Sequence, residues 1–495
     1  MILKKATLPE LDNKNITTPP ASIFELPEKV LQFGTGVLLR GLPDYFIDKA
    51  NRQGIFNGRI VVVKSTAGSA SAFDEQDNLY TLHIKGIENG EKVEEDIICS
   101  AVSRVLSAAS HWAEILDCAR NPEMEIVISN TTEVGIQLVE EDINQQPPAS
   151  FPGKLLAFLY ERYKAFNGSA EYAMVIVPTE LIVGNGSKLK SIVLELARFN
   201  GLSEEFIEWL EFNKFCDSLV DRIVPGKPDK SLYQSLEEQT GYHDELRIMS
   251  EVYRLWAIEG DSEAASKLSF AQADKGVIIA PDIEIYRELK LRLLNGTHTL
   301  SCGAAFLAGF QTVKNAMDNE VMETFISKTM KSDIAPAIPY DVSKEQAEEF
   351  SNIVLDRFKN PHIEHLWHSI TLNYSAKLNM RVVPVLLNYY KKFNQVPRHI
   401  AAGFAAYILF TRPVKEEDGV FYGKFNGEYY KINDDKAGKL LEKWNQYEGD
   451  DLVNSVLSDT ALWDTDLTSL PGFAAAVTQN MEQIVEQGVL KTISE

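Results

Sequence analysis

Lys29-Val-Leu-Gln-Phe33-Gly34-Thr35-Gly36-Val37-Leu38-Leu39-Arg40-Gly41 is the stretch on which the fold turns. Lys29 to Phe33 reads as a buried strand, and a helix is expected from about Leu38 to Gln53. The glycines between them let the chain turn sharply off the strand end and let its backbone approach a pyrophosphate closely. The helix then aims its first N–H groups at the phosphates. Gly34 and Gly36 fit the first two positions of the dinucleotide fingerprint. The third falls on Leu39, with Gly41 two residues late. Taken alone, a GxG behind a strand is equally the mark of a tight turn. If the turn holds a dinucleotide, its contacts are Phe33, Gly34, Thr35, Gly36, Val37 and Leu38.

Further apolar runs extend the pattern. Arg59-Ile-Val-Val-Val63, Ile126-Val-Ile-Ser129 and Met174-Val-Ile-Val177 are β-branched strands separated by helical stretches, the signature of a parallel sheet covered on both faces. Asn89-Gly90, between Leu79–Ile84 and Glu91–Glu94, marks an inserted hairpin. After Pro281 amphipathic helices dominate. Ser343-Lys-Glu-Gln346 opens one as a capping box, ending near Asn360-Pro361. Others run from Val385 to Phe393, Ile400 to Phe410, Lys436 to Tyr447 and Ala474 to Gln487, with a small hairpin between Asp418-Gly419 and Asn426-Gly427. The expected class is an α/β Rossmann-like N-terminal domain over residues 1–280, followed by a mostly α-helical C-terminal domain over 281–495.

The 495 residues are 45% apolar and 24% charged, enough for two packed cores. Acidic residues outnumber basic ones 71 to 49, a net charge of −22. Such a chain repels nucleic acid and anionic lipid in bulk, and an anionic substrate would need a local cluster of Lys or Arg. Cys99, Cys118, Cys216 and Cys302 are widely spaced and form no CxxC pair, which implies free buried thiols and a reducing compartment. The N-terminus lacks the apolar run of a signal peptide, and the longest apolar stretch, Ile400 to Phe410, is too short to span a bilayer. A cytoplasmic location follows by elimination.

Where the second strand ends, NAD-binding folds usually place an acidic residue on the adenosine ribose. Here Lys64 follows Val63, and its ammonium suits a ribose hydroxyl or the 2′-phosphate of NADP; Asp74 lies further on. NAD is the expected cofactor, with NADP compatible. Tyr286-Arg-Glu-Leu-Lys290-Leu-Arg-Leu-Leu-Asn295-Gly-Thr-His298 opens the helical domain. On an α-helix Lys290, Asn295 and His298 fall within an arc of about 140°. Lysine serves as acid or base in carbonyl–alcohol interconversion when burial or a nearby cation lowers its pKa, and Asn and His can hold the reacting oxygen. On spacing alone, a helical lysine is ordinarily a solvated residue. His362, His365 and His368 stand at i, i+3 and i+6, expected on a half-buried helix after Asn360-Pro361. The pattern is not HExxH, and no metal is expected.

Lys-x4-Asn-x2-His behind a GxG turn resembles the long-chain mannitol dehydrogenase family, and the resemblance spans nearly the whole chain. Ser129-Asn-Thr-Thr-Glu133-Val-Gly135 is similar to its T-x-T-E-x-G segment. Val177-Pro-Thr-Glu-Leu181-Ile-Val-Gly-Asn185-Gly186 is similar to its run from Cys-Asp-Asn-Leu to Asn-Gly, and Ser218-Leu-Val-Asp221-Arg222-Ile223 to its V-D-R-I segment. Thr179-Glu180 replaces the Cys-Asp pair and Leu181 the asparagine behind it, which resembles the tagaturonate-reducing branch.

The resemblance implies NAD-dependent interconversion of D-tagaturonate and D-altronate in hexuronate breakdown, in one active cleft between the domains. It implies catalysis by Lys290 with Asn295 and His298, cofactor contacts at Asn130, Thr132 and Glu133, and a substrate contact at Asp221. Arg381, with Lys377 one helical turn away, is expected to hold the uronate carboxylate. Fructuronate and mannitol are the alternative substrates within the family; a catalytically silent nucleotide-binding regulator is the alternative of another class. No nucleic acid or membrane partner is expected, and the oligomeric state stays open, compatible with a monomer.

Overall fold

The computed structural model describes residues 1–11, 16–65, 70–132 and 134–494. The chain forms two compact units: Met1–Gly86 with Lys92–Ile283, and Ile87–Glu91 with Glu284–Glu495.

The first unit is built on six strands: β1 (Glu28–Phe33), β2 (Arg59–Lys64), β3 (Val102–Ser107), β4 (Ile126–Ser129), β5 (Val175–Pro178) and β6 (Lys214–Phe215). All neighbours are parallel, in the order β3-β2-β1-β4-β5-β6. This is the doubly wound order, in which the chain reverses direction between β1 and β4 and opens a crevice at their carboxyl ends. The apolar runs are continuous because both faces are covered. Val30, Ile60, Val62, Ile128 and Val177 enter one core, while Leu31, Phe33, Val61, Val63 and Ile176 enter the other.

Several expectations need correction. The helix expected from Leu38 to Gln53 is two helices, Val37–Gly41 and Pro43–Arg52. Pro43 has no N–H and disfavours helical backbone in the residue before it, and Leu42 accordingly sits at φ −133°, ψ −78°. Strands β3 and β6 went unread. β3 carries Ser103 and Arg104 among its apolar residues, and β6 has two residues. A second small sheet, Ser218–Asp221, Leu255–Glu259 and Val277–Ala280, also went unread. The inserted hairpin is present as Tyr80–Glu88 and Glu91–Cys99, with positive φ at both Asn89 and Gly90.

The second unit is mostly helical. Ser343 and Gln346 form the expected reciprocal capping box of helix Lys344–Phe358. Helices Val383–Phe393, Arg398–Phe410, Ala437–Gln446 and Phe473–Gln487 lie where the periodicity placed them. The late hairpin is a three-stranded meander, Lys415–Glu417, Val420–Phe425 and Glu428–Ile432, because Asp418-Gly419 and Asn426-Gly427 each make a turn. All four cysteines are buried and free. Among the described residues, no helix is long and apolar enough to cross a membrane.

Candidate functional site

In the first unit the glycine turn leaves the carboxyl end of β1. Phe33 is buried with its ring 5.0 Å from that of Phe151. Gly34 donates its N–H to Val63 O over 3.0 Å. Its φ of +127° suits glycine, and a Cβ there would stand 2.8 Å from Leu39 Cδ1 and 2.9 Å from Asn130 O. Gly36 is different. Its φ is −61°, it is exposed, and a Cβ would meet nothing within 4 Å. No protein neighbour among the described residues requires glycine at Gly36, so its bare backbone suits close approach by a ligand such as a pyrophosphate. A Cβ on Gly41 would meet Val224 side-chain carbons at 2.9 Å, so close packing against Val224 requires glycine at Gly41. Thr35, Val37 and Leu38 are half-buried around this turn.

The neighbouring loop leaves β4. Asn130 donates its N–H to Phe33 O over 3.1 Å, and its amide donates to Thr179 O and Oγ1 at 3.1 and 3.0 Å. Thr132 has φ +86°. Glu133 lies outside the described residues. Lys64 ends β2 and is buried, and its carbonyl accepts from Ala108 N–H at 2.9 Å. Asp74 sits exposed in the helix Ser71–Glu75. Asp221 is buried at the end of strand Ser218–Asp221. The adjacent Arg222 donates to Gly41 O at 2.6 Å and Glu251 O at 3.0 Å, fixing the end of the helix behind the turn.

In the second unit one continuous helical run carries the proposed catalytic set, but it is not uniformly α. Glu284–Leu289 is α, Lys290–Gly296 is π, and Thr297–Leu307 is α. The arc drawn from 3.6 residues per turn is therefore wrong for this segment. Bonding from i to i+5 widens the turn, so residues five apart, such as Lys290 and Asn295, come closer to one face than 3.6 residues per turn would bring them. Both are half-buried, and His298 is buried. Arg292 fastens the wide turn. Its guanidinium donates to both oxygens of Glu288 at 3.0 and 3.2 Å, and to the carbonyls of Met380 and Arg381 at 2.7 and 3.0 Å. Neither Glu288 nor Arg292 was singled out from sequence, although their i, i+4 spacing is the signal of such a pair.

The His298 ring stacks on Phe358 at 4.0 Å and meets the edge of His365 at 4.9 Å. Its Nε2 is buried with no hydrogen-bond partner among the described residues. Burial, then the charges of His365, Arg357 and Arg381, hold its pKa well below 6.5, so the imidazole is neutral. His365 is shifted the same way by burial, Arg357 and Lys377.

The three-histidine helix is absent. Asn360 Oδ1 accepts from His362 N–H at 3.0 Å, making a turn at Pro361, and regular helix begins only at Trp367. His368 therefore points elsewhere, with Nε2 2.8 Å from Lys431 O. No group of three metal-ligating side chains forms among the described residues.

Arg381 and Lys377 lie on helix Tyr374–Arg381. Arg381 donates from Nη1 to Thr299 Oγ1 at 2.9 Å, and its buried Nε has no partner among the described residues. Lys377 donates to Ile370 O at 3.2 Å. Neither meets a carboxylate among the described residues. Burial lowers the pKa of both, and the Arg381 charge adds to the effect on Lys377. Two partly desolvated cations thus stand one turn apart in a strongly acidic chain, with no described carboxylate to neutralise them.

Two family models match in tandem. The mannitol dehydrogenase Rossmann domain covers residues 28–271, and the mannitol dehydrogenase C-terminal domain covers 282–485. The altronate oxidoreductase of Bacillus subtilis (strain 168) is 36% identical over 479 residues, covering 95% of each chain. That of Yersinia enterocolitica is 37% identical over 481 residues, covering 94% of this chain and 96% of its own. Among solved structures, Pseudomonas fluorescens mannitol 2-dehydrogenase, in a ternary complex with NAD and D-mannitol, matches with a TM-score of 0.66 at 20% identity, over 100% of this chain and 99% of that one. A substrate-free D-sorbitol dehydrogenase matches with a TM-score of 0.77 at 19% identity over 100% of both chains. The structural likenesses establish the fold. The tandem models and the end-to-end relatives establish more: this chain belongs to the mannitol dehydrogenase family of nicotinamide-dependent oxidoreductases.

Proposed function

We propose that this protein interconverts D-altronate and D-tagaturonate with NAD as its cofactor. The relatives at 36–37% identity that carry the altronate oxidoreductase name support the reaction. The observation that carries the substrate class is the Arg381–Lys377 pair. Two partly buried cations without a carboxylate partner among the described residues match the carboxylate of a hexuronate and have no counterpart on a neutral polyol.

The bound nicotinamide supplies the hydride to the keto carbon, or accepts it in the reverse direction. Gly34 and Gly36, with Phe33, Thr35, Val37 and Leu38, shape the cradle for its pyrophosphate, beside Asn130 and Thr132. Lys290 Nζ donates the proton that the substrate oxygen gains on reduction and takes it back on oxidation. The Asn295 amide donates to that oxygen and stabilises charge on it, and the neutral His298 ring offers a second hydrogen bond. Arg381 can offer the carboxylate the guanidinium N–H groups that Thr299 does not take.

Lys64 is the residue that bears on NAD against NADP, since its ammonium also suits a 2′-phosphate. The decisive assay is consumption of NADH and of NADPH with tagaturonate, fructuronate and fructose in parallel. Tagaturonate with NADH is expected to give the highest kcat/KM. Equal or faster turnover of fructose would remove the uronate reading, and binding of NADH without turnover of any ketose would favour a regulator.

A further inference from the structure

The Glu180 carboxylate is buried at the carboxyl end of the sheet, and the chemistry above does not use it. One oxygen accepts the Thr131 N–H at 2.8 Å and the Thr131 hydroxyl at 2.9 Å; the other accepts the Ser129 hydroxyl at 3.1 Å. All three donors belong to the end of β4 and the loop leaving it, whereas Glu180 follows β5. Asn185 holds the Glu180 segment in turn, donating to the carbonyls of Glu180, Pro178 and Ser218 at 3.0 to 3.1 Å.

The next residue after Thr131 is the strained one. Thr132 is β-branched and sits at φ +86°, where its side chain crowds the backbone. A residue in that region is strained and persists only where its surroundings over-determine it. The surroundings here are explicit. Asn130 is tied to Phe33 and Thr179, and Thr131 is tied twice to Glu180. Beyond Thr132, the Gly135 N–H closes back on Thr132 O at 3.0 Å, and a Cβ on Gly135 would fall 2.1 Å from Thr131 Oγ1. A Cβ on Gly34 would stand 2.9 Å from the Asn130 carbonyl oxygen, so the bare glycine leaves room for that carbonyl.

We infer that Glu180 is a positioning residue for the nucleotide: by holding Thr131 it keeps Thr132 left-handed and the β4 loop seated against the Gly34 turn. The inference rests on the nucleotide reading of that turn. The role needs an acceptor oxygen and not a charge, and burial does push the Glu180 pKa up despite its three hydrogen bonds.

The test combines NADH titration by fluorescence with hydrogen–deuterium exchange of residues 129–135 in the nucleotide-free protein. Glu180→Ala is expected to raise the NADH Kd about tenfold or more and to speed exchange through the loop beyond Thr131, leaving KM for the hexuronate at saturating NADH unchanged. Glu180→Gln keeps an oxygen toward Thr131 and is expected to restore wild-type Kd. In a Thr132→Gly background, where φ +86° carries no strain, the Glu180→Ala effect should shrink to about threefold or less. Equal Kd for wild type and Glu180→Ala, or an undiminished effect in the Thr132→Gly background, would overturn the inference while leaving the nucleotide reading standing. A wild-type protein that binds neither NADH nor NADPH would overturn both. If Glu180→Ala does not fold, Thr131→Val removes one of the two anchors; a wild-type Kd for that variant is the overturning result.

Discussion

The ring of His298 lies parallel to that of Phe358, with 4.0 Å between centroids and 7° between planes. Burial, then the charges of His365, Arg357 and Arg381, keep the stacked imidazole neutral.

That depressed pKa has a stability signature. Below about pH 6.5 the unfolded chain protonates this histidine while the folded chain resists, so the unfolded state binds more protons and folding loses stability as the pH falls. Above about pH 6.5 both states carry a neutral ring and the contribution is flat. His298→Phe keeps the stack and removes the titration. Urea unfolding from pH 8 to pH 5 should show the variant gaining on wild type by up to about 1.4 kcal/mol per pH unit below about 6.5. A gap that stays constant with pH would exclude a neutral buried His298.

Arg381→Leu removes the proposed carboxylate partner but keeps the stem of the side chain. A charge-assisted pair of this kind is worth about 1.5–3 kcal/mol, so KM for tagaturonate should rise roughly 10- to 100-fold. The KM for fructose, which has no carboxylate, should move by no more than about threefold on the same argument. Parallel increases for both ketoses would take the carboxylate role away from Arg381.

Replacing Lys290 by Ala removes the proposed acid and base. Turnover should fall about 10²- to 10⁴-fold, with the NADH Kd and the melting temperature close to wild type. Steady-state rates near normal, measured on protein with an intact far-ultraviolet spectrum, would end this assignment.

The two glycines of the β1 turn should separate cleanly. Gly34→Ala forces a Cβ against Leu39 and Asn130 at φ +127°, and should destabilise the protein by about 1–3 kcal/mol. Gly36→Ala meets no described protein atom at an ordinary φ, so its melting temperature should hold while the NADH Kd rises severalfold. An unchanged Kd for Gly36→Ala would mean that no ligand backbone passes there.

The parallel sheet was legible in the chain because a strand covered on both faces must be apolar at every position, a property that Leu31, Phe33, Val61 and Val63 declare locally. Capping at Ser343 and the turns at Asn89-Gly90 and Asp418-Gly419 were legible for the same reason: each is settled by residues within a few positions of one another. The Lys290, Asn295 and His298 spacing was readable too, and so were Arg381 and Lys377 as residues.

What they face was not readable. The π turn beneath Lys290 is fastened by Arg292 to carbonyls 88 and 89 residues away, and periodicity carries no trace of contacts at that range. The histidine run looked helical by spacing and is broken by the turn at Asn360 and Pro361; His365 meets His298 only because separate segments pack together. Glu180 showed in the chain as half of a Thr-Glu pair, but its hold on Ser129 and Thr131 spans about fifty residues and exists only once β4 and β5 lie side by side. Local backbone preference and burial pattern are written along the chain. The neighbours that tune a charge, widen a helix or hold a strained residue are supplied by packing.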